Sequence, residues 1–322
     1  MRILVTGNAG FIGFHLSKKL LMQNYSVFGI DNINNYYDTD LKKNRLKELK
    51  KNKNFHFYKT DLANKKAINK TLKEEKIKYI VHLAAQAGVR YSIDCPETYF
   101  KSNIEGFFNI LELSKINKIK HLIFASTSSV YGNNSKFPLT EKDNTDMPLS
   151  FYAATKKSNE IMAYSYANIY RLPSTALRIF SVYGPYGRPD MALYKFTRAI
   201  LNNKRISLFN SGDHTRDFTY IDDIVEGISN LIKKPSTKKI PYNCFNIGLG
   251  EPKKLKLFLN LLEKNLEKKA KINNFPLQQG DIKKTYANIK ALKSYSSFKP
   301  KTDIEKGIRL FIKWYKKYYK KK

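Results

Sequence analysis

Three glycines spaced three residues apart, lying between an apolar run and a segment of helical periodicity, restrict the fold of this chain more than any other feature. The stretch Val5-Thr6-Gly7-Asn8-Ala9-Gly10-Phe11-Ile12-Gly13 follows the apolar run Arg2 to Thr6 and opens a helical pattern over Phe11 to Gln23. Strand character returns over Ser26 to Ile30 and ends at Asp31, which completes one strand–helix–strand unit. Gly7 permits the tight turn, Gly10 lets backbone approach a pyrophosphate, and Gly13 allows close packing of helix on sheet. The helix N-terminus adds free N–H groups and the positive end of its dipole. Asp31 stands 18 residues after Gly13, where a carboxylate accepts hydrogen bonds from adenosine ribose hydroxyls. Asn32 and Ile33 follow it with no adjacent arginine to neutralise a 2′-phosphate, so the pattern selects NAD over NADP. Asp61, closing the third strand, has two readings: a contact to the adenine amino group, or an N-cap for a helix over Ala63 to Thr71.

The alternation continues. Strands are predicted near Phe55–Lys59, Tyr79–Leu83, His121–Ala125 and Thr175–Ile179, with helices near Lys65–Glu75, Pro96–Ile116 and Tyr152–Tyr170. That order implies an α/β fold with a doubly wound, mainly parallel sheet. Past Ser181 it gives way to loops, a short strand at Ile206–Phe209, and helices around Asp222–Lys233, Lys253–Glu267 and Asp303–Tyr318. At 322 residues the chain has room for two units. Residues 1–180 read as the dinucleotide-binding domain and 181–322 as mainly a smaller substrate-binding lobe, some segments of which return to the sheet. The Lys-rich segment Leu41 to Lys53 reads as an exposed helix, its charges interleaved with Leu41, Leu46 and Leu49.

Lys and Arg total 59 against 27 Asp and Glu, a formal charge of +32 that raises nucleic acid or an acidic membrane surface as a partner. The lysines are spread through nearly every predicted helix and the C-terminal Lys-Lys-Lys, whereas a binding footprint clusters, so neither partner is expected. The positive potential would instead attract a diphosphate-bearing substrate. The two cysteines, Cys95 and Cys244, are too few and too far apart for a disulfide framework or a CxxC metal site. Strand character already begins at residue 2 and no apolar stretch approaches spanning length, so a cytoplasmic protein without a metal is expected.

Tyr152-Ala-Ala-Thr-Lys156 puts a phenol and an ammonium four residues apart, on one face of a helix. A cation near the phenol stabilises the phenolate, which makes a general base able to take a hydroxyl proton as hydride leaves the same carbon. The hydroxyl cluster Ser126-Thr127-Ser128-Ser129 follows the fifth strand at its carboxyl end, where doubly wound sheets bind ligands.

With glycine loop, hydroxyl cluster and Tyr–Lys pair in this order, the chain resembles the extended short-chain dehydrogenase/reductase family of nucleotide-sugar enzymes over nearly its whole length. Longer strings, Asp31-Asn-Ile-Asn-Asn-Tyr-Tyr37, Ala84-Ala-Gln-Ala-Gly-Val-Arg-Tyr-Ser92, Tyr183-Gly-Pro-Tyr-Gly-Arg-Pro-Asp-Met191 and Arg216-Asp-Phe-Thr-Tyr-Ile-Asp-Asp223, are similar to the UDP-glucuronate 4-epimerases of that family. The resemblance implies a Rossmann fold that binds NAD through Gly7, Gly10, Phe11, Ile12, Gly13, Asp31, Asn32, Asp61, Leu62, Leu83, Ala84, Ala85, Tyr152 and Lys156. It implies Tyr152 as base, Lys156 as its electrostatic partner, and Thr127 as the hydroxyl on the substrate's 4-oxygen. Ser128, Ser129 and Ser181 fall to the glucuronate carboxylate, Arg188, Arg216 and Asp281 to the UDP part, and Arg90 is a further substrate contact. A homodimer joined through the helices near Pro96–Ile116 and Tyr152–Tyr170 is also implied.

The implied reaction is NAD-dependent inversion at carbon 4 of UDP-glucuronate through a 4-keto sugar. Similar UDP-xylose-forming enzymes carry Glu after the Thr-Ser pair and 4,6-dehydratases carry Asp-Glu after the Thr, whereas this chain has Ser128 and Ser129. A 4-epimerase of UDP-glucose or UDP-N-acetylglucosamine is the alternative; UDP-glucose epimerases carry Asn where Ser181 stands. A third reading is a basic, cofactor-binding module without turnover, against which Tyr152, Lys156 and Thr127 stand.

Overall fold

Each apolar run of the first half becomes a strand of one parallel sheet. The computed structural model describes residues 1–278 and 281–319, so the C-terminal Lys-Lys-Lys lies outside the described residues. Strands β1 (Arg2–Thr6), β2 (Ser26–Asp31), β3 (Phe55–Lys59), β4 (Tyr79–His82), β5 (His121–Thr127) and β6 (Ser174–Ile179) lie in the spatial order β6-β5-β4-β1-β2-β3. Every neighbouring pair is parallel. The order reverses between β1 and β4, and this opens a crevice at the carboxyl ends of the strands.

Helices α1 (Phe11–Met22), α2 (Thr39–Leu49), α3 (Lys65–Glu74), α4 (Tyr91–Asp94), α5 (Pro96–Tyr99), α6 (Gly106–Ile116) and α7 (Phe151–Tyr170) connect these strands. Successive strand residues point to opposite faces, so both faces must be apolar to be covered. Ile3, Val5, Val27 and Ile123 accordingly join one core with Phe14 and Leu16 of α1. Their neighbours Leu4, Phe28, Leu122 and Phe124 join the opposite core with Phe107 and Ile110 of α6.

Beyond β6 the chain builds β7 (Ser181–Tyr183), β8 (Arg205–Phe209), β9 (Thr215–Tyr220), β10 (Tyr242–Ile247), β11 (Pro252–Lys254) and β12 (Lys271–Phe275). Strand β10 returns to the large sheet as its seventh strand, parallel to β6. Strands β7, β9 and β11 form a second sheet, and β8 and β12 a third. Helices α8 (Ala192–Leu201), α9 (Ile221–Leu231), α10 (Leu255–Leu266), α11 (Lys290–Ser296) and α12 (Ile304–Tyr319) pack around them. Among the described residues, no helix is long and apolar enough to cross a membrane.

Three expectations need correction. The helix over Pro96–Ile116 is not one α-helix, because Phe100–Glu105 is a π-helical turn between α5 and α6. There the Asn159 amide of α7 donates to the Asn103 carbonyl at 2.7 Å, satisfying backbone within the widened turn. The segment Leu41–Lys53 is helical only to Leu49 and is not wholly exposed: Lys42 and Arg45 are buried. Neutral oxygens satisfy both cations, Lys42 Nζ donating to the Asn34 carbonyl and side chain at 2.6 Å each. Asp61 does not cap α3. Asn64 does, accepting from Ala67 N at 3.0 Å, while Asp61 accepts from the Asn32 amide at 2.8 Å and from Ala63 N at 2.9 Å.

Candidate functional site

The glycine loop is shaped by contacts that admit no side chain. Gly7 has φ +74°, and a Cβ there would lie 2.7 Å from Ala84 N; a Cβ on Gly13 would lie 2.1 Å from the Gly7 carbonyl. The loop therefore lies tight against the Leu83–Ala84 strand end, which Thr6 also holds, its hydroxyl accepting from both N–H groups at 3.2 Å. Asp31 ends β2 beside it, accepting from Ala9 N at 3.1 Å and from Ile33 N at 2.8 Å. Burial pushes the Asp31 carboxyl up, against the pull of those N–H groups and of Lys42 and Arg45.

A cavity of about 980 Å³ runs from this loop across the sheet's carboxyl ends. Gly7, Gly10, Phe11, Ile12 and Gly13 line it, as do Asp31, Asn32, Asp61 and Leu62 on one side and Leu83, Ala84 and Ala85 on the other. Thr127, Ser128, Ser129, Tyr152, Lys156 and Ser181 line the same space. The structure thus brings the sequence-derived cofactor and catalytic residues to one cleft.

Thr127 ends β5 and caps the short turn that carries Ser128 and Ser129, its hydroxyl accepting from Ser129 N and donating to Ser129 Oγ at 3.2 Å each. Ser126 lines the cavity too, but its hydroxyl is turned to Glu160, donating to Oε1 at 2.5 Å. Tyr152 lies in the first turn of α7, which Ser150 caps. Burial holds the Tyr152 phenol above its usual range, and Arg188 and a hydrogen bond with Thr127 pull it down. Arg188, which the resemblance gave to the UDP part, is thus a cation that acts on Tyr152. Lys156 is itself buried, which brings its ammonium down to about 8 against the opposing charge of Glu160 one helical turn on.

Arg188 chelates Asp190, Nε to Oδ1 at 3.0 Å and Nη2 to Oδ2 at 2.5 Å, and also reaches the Ala87 carbonyl at 3.4 Å. Arg216 and Asp281 instead form a second cluster, paired at 3.1 Å, with Arg90 3.9 Å and His214 3.3 Å from the same carboxylate. Sequence reading missed His214, Asp190 and Lys42, all of which line the cavity. Only Asp190 had a visible signal, a carboxylate two residues from an arginine in a loop.

Residues 3–248 match the NAD dependent epimerase/dehydratase family. The chain belongs to that family. As a member, it is 51% identical to Protein CapI of Staphylococcus aureus, the alignment covering 100% of both chains. It is 43% identical to UDP-glucuronate 4-epimerase 1 of Arabidopsis thaliana over 98% of this chain and 77% of that one. Its structure superposes with a TM-score of 0.93 on UDP-glucuronic acid 4-epimerase from Bacillus cereus, solved in complex with UDP-glucuronic acid and NAD. That pair is 35% identical, covering 99% of this chain and 100% of the other.

Proposed function

We propose that this chain is a UDP-glucuronate 4-epimerase that interconverts UDP-glucuronate and UDP-galacturonate with NAD as resident cofactor. The observation that carries this reading is the meeting of Tyr152, Thr127 and two serines with the glycine cradle in one cleft, where related dehydratases and decarboxylases carry carboxylates. NAD fits the cradle. The glycine positions leave backbone exposed where a Cβ would collide, Asp31 lies at the end of β2, and the α1 N-terminus faces the cavity.

When bound, NAD accepts the carbon 4 hydride and later returns it to the opposite face of the sugar. Tyr152 takes the 4-hydroxyl proton and gives it back, while the Thr127 hydroxyl holds the 4-oxygen. Arg188 and Thr127 lower the cost of the phenolate, and Lys156 adds a buried positive charge on the same helix face. The 4-keto sugar is a β-keto acid prone to losing carbon dioxide, a step that drains charge from the carboxylate into the ring. Hydrogen bonds from Ser128, Ser129 and Ser181 stabilise the charge where it starts and so oppose that loss. Arg216, Asp281 and Arg90 anchor the UDP part from residues of the C-terminal lobe and the β4 loop while the hexose turns. Arg188, which lines the same cavity, holds the UDP part as well.

The division at residue 180, with a sheet-forming segment inserted after it, separates cofactor-binding from nucleotide-binding duties. A homodimer through α5 to α7 and a cytoplasmic location complete the reading. Support for the first comes from exposed apolar side chains on those helices, including Phe108, Ile161 and Tyr164; support for the second comes from two free thiols, Cys95 and Cys244.

Incubation of the purified protein with UDP-glucuronate and NAD, followed by chromatography, tests the function. UDP-galacturonate should form, and Tyr152→Phe should lower the rate about 100-fold or more. A UDP-pentose as main product would overturn the role given to Ser129, and no conversion would overturn the substrate.

A further inference from the structure

Arg45 is the most completely enclosed cation in the described residues, and it lies outside the cleft. It projects from α2 between two functional loops. Nη1 donates to the Ala9 carbonyl of the glycine loop at 2.8 Å and to the Tyr37 hydroxyl at 2.7 Å. Nη2 donates to the carbonyls of Tyr186 at 2.6 Å and Gly187 at 3.3 Å, immediately before Arg188. From α1, His15 Nε2 meets the carbonyl of Pro185 at 2.8 Å, and burial holds that imidazole neutral, down to about 3. Three successive carbonyls of one loop are thus captured by side chains of the cofactor-binding half.

We infer that Arg45 is a positioning residue that locks the Arg188 loop to the glycine loop, so that filling the dinucleotide cradle raises affinity for the nucleotide sugar. A guanidinium is a planar fork, and its two ends hold two loops at one separation, which an ammonium cannot do. All four of its bonds go to neutral oxygens, and the Asp31 carboxylate on which it pulls is not among its partners, so part of the buried charge is left to be balanced. The pyrophosphate expected beside the glycine loop supplies that balance and tightens the fork. The Arg188 loop is then ordered before substrate arrives, which removes part of the ordering cost of binding.

The inference rests on the proposed UDP-sugar reading, and one readout is independent of it. Trp314 is the chain's single tryptophan, and its ring centroid lies 4.9 Å from that of Tyr186 in the clamped loop. Its emission therefore reports the loop directly.

The experiment compares wild type, Arg45→Lys and the milder Tyr37→Phe, each first stripped of dinucleotide and then reloaded with NAD. In wild type, NAD should change Trp314 emission and tighten UDP binding by about 10-fold. In Arg45→Lys both effects should fall toward nothing; KM for UDP-glucuronate should rise about 10-fold, and kcat should fall as well, since the loosened loop carries Arg188. Tyr37→Phe, which keeps the guanidinium, should show a partial loss and keeps the test decisive if Arg45→Lys does not fold. Equal weakening of UDP binding with and without NAD, or an undiminished coupling in both variants, would overturn the inference. Should wild type bind no UDP, the substrate reading fails, and the NAD-induced Trp314 change in wild type against the variants decides the clamp alone.

Discussion

Gly13 carries the plainest residue-level prediction. A methyl group there would meet the Gly7 carbonyl at 2.1 Å, and backbone cannot yield as a flexible side chain does. Gly13→Ala should weaken NAD binding at least about 10-fold and lower the melting temperature; unchanged NAD affinity by calorimetry would remove this loop from the cofactor site. Glycines of this kind were readable because their spacing follows from backbone geometry. Tyr152 and Lys156 were readable as a helical pair, but the upward direction of the phenol's shift was not, since burial sets it and outweighs Arg188, which pulls the other way from 36 positions along the chain. Arg45 and Lys42 were misread for a related reason. In a chain with 59 basic residues, a lysine or arginine on a helix gives no sign of facing inward. Only the neutral oxygens gathered around each one reveal it.

At the scale of elements, the six strands before residue 180 were legible because five of them are buried on both faces, the edge strand β3 still alternates Phe55 and Phe57 with polar neighbours, and turn residues bound them. Strands β7, β9 and β11 were not, being held by pairing partners distant in sequence. The π-helical turn was invisible too, because the amide that satisfies its Asn103 carbonyl, Asn159, lies on another helix. Helices α6 and α7 expose Phe108, Ile116, Ile161, Tyr164 and Ile169, more apolar surface than a solvated helix pair needs. If a second copy covers that surface, Phe108→Glu together with Tyr164→Glu should shift the protein from dimer to monomer in sedimentation velocity. A wild type that sediments as a monomer at micromolar concentration would refute the assembly.

For the whole molecule, three histidines tie stability to acidity. His15 and His82 are brought down to about 3 and His121 to about 4 by burial, each holding a neutral hydrogen bond inside the core. The unfolded chain takes up protons below about 6.5 while the folded one does not, so stability is lost as pH falls from 6.5 toward 4. The loss should be on the order of 2 kcal/mol per histidine by pH 5. Urea midpoints at pH 7 and pH 5 measure it, and equal midpoints would mean that these imidazoles accept protons while folded.

The seventh strand of the large sheet has a consequence for how the protein is made. Strand β6 ends at Ile179, but β10, which covers its open side, ends only at Ile247. A ribosome adding about 5–20 residues per second spends several seconds on the roughly 70 residues between them. Throughout that interval the nascent sheet presents a bare edge of unpaired backbone, open to the same edge on a neighbouring polysome. Slowed translation between these two strands should therefore lower the soluble yield more than slowing anywhere within the first half of the chain.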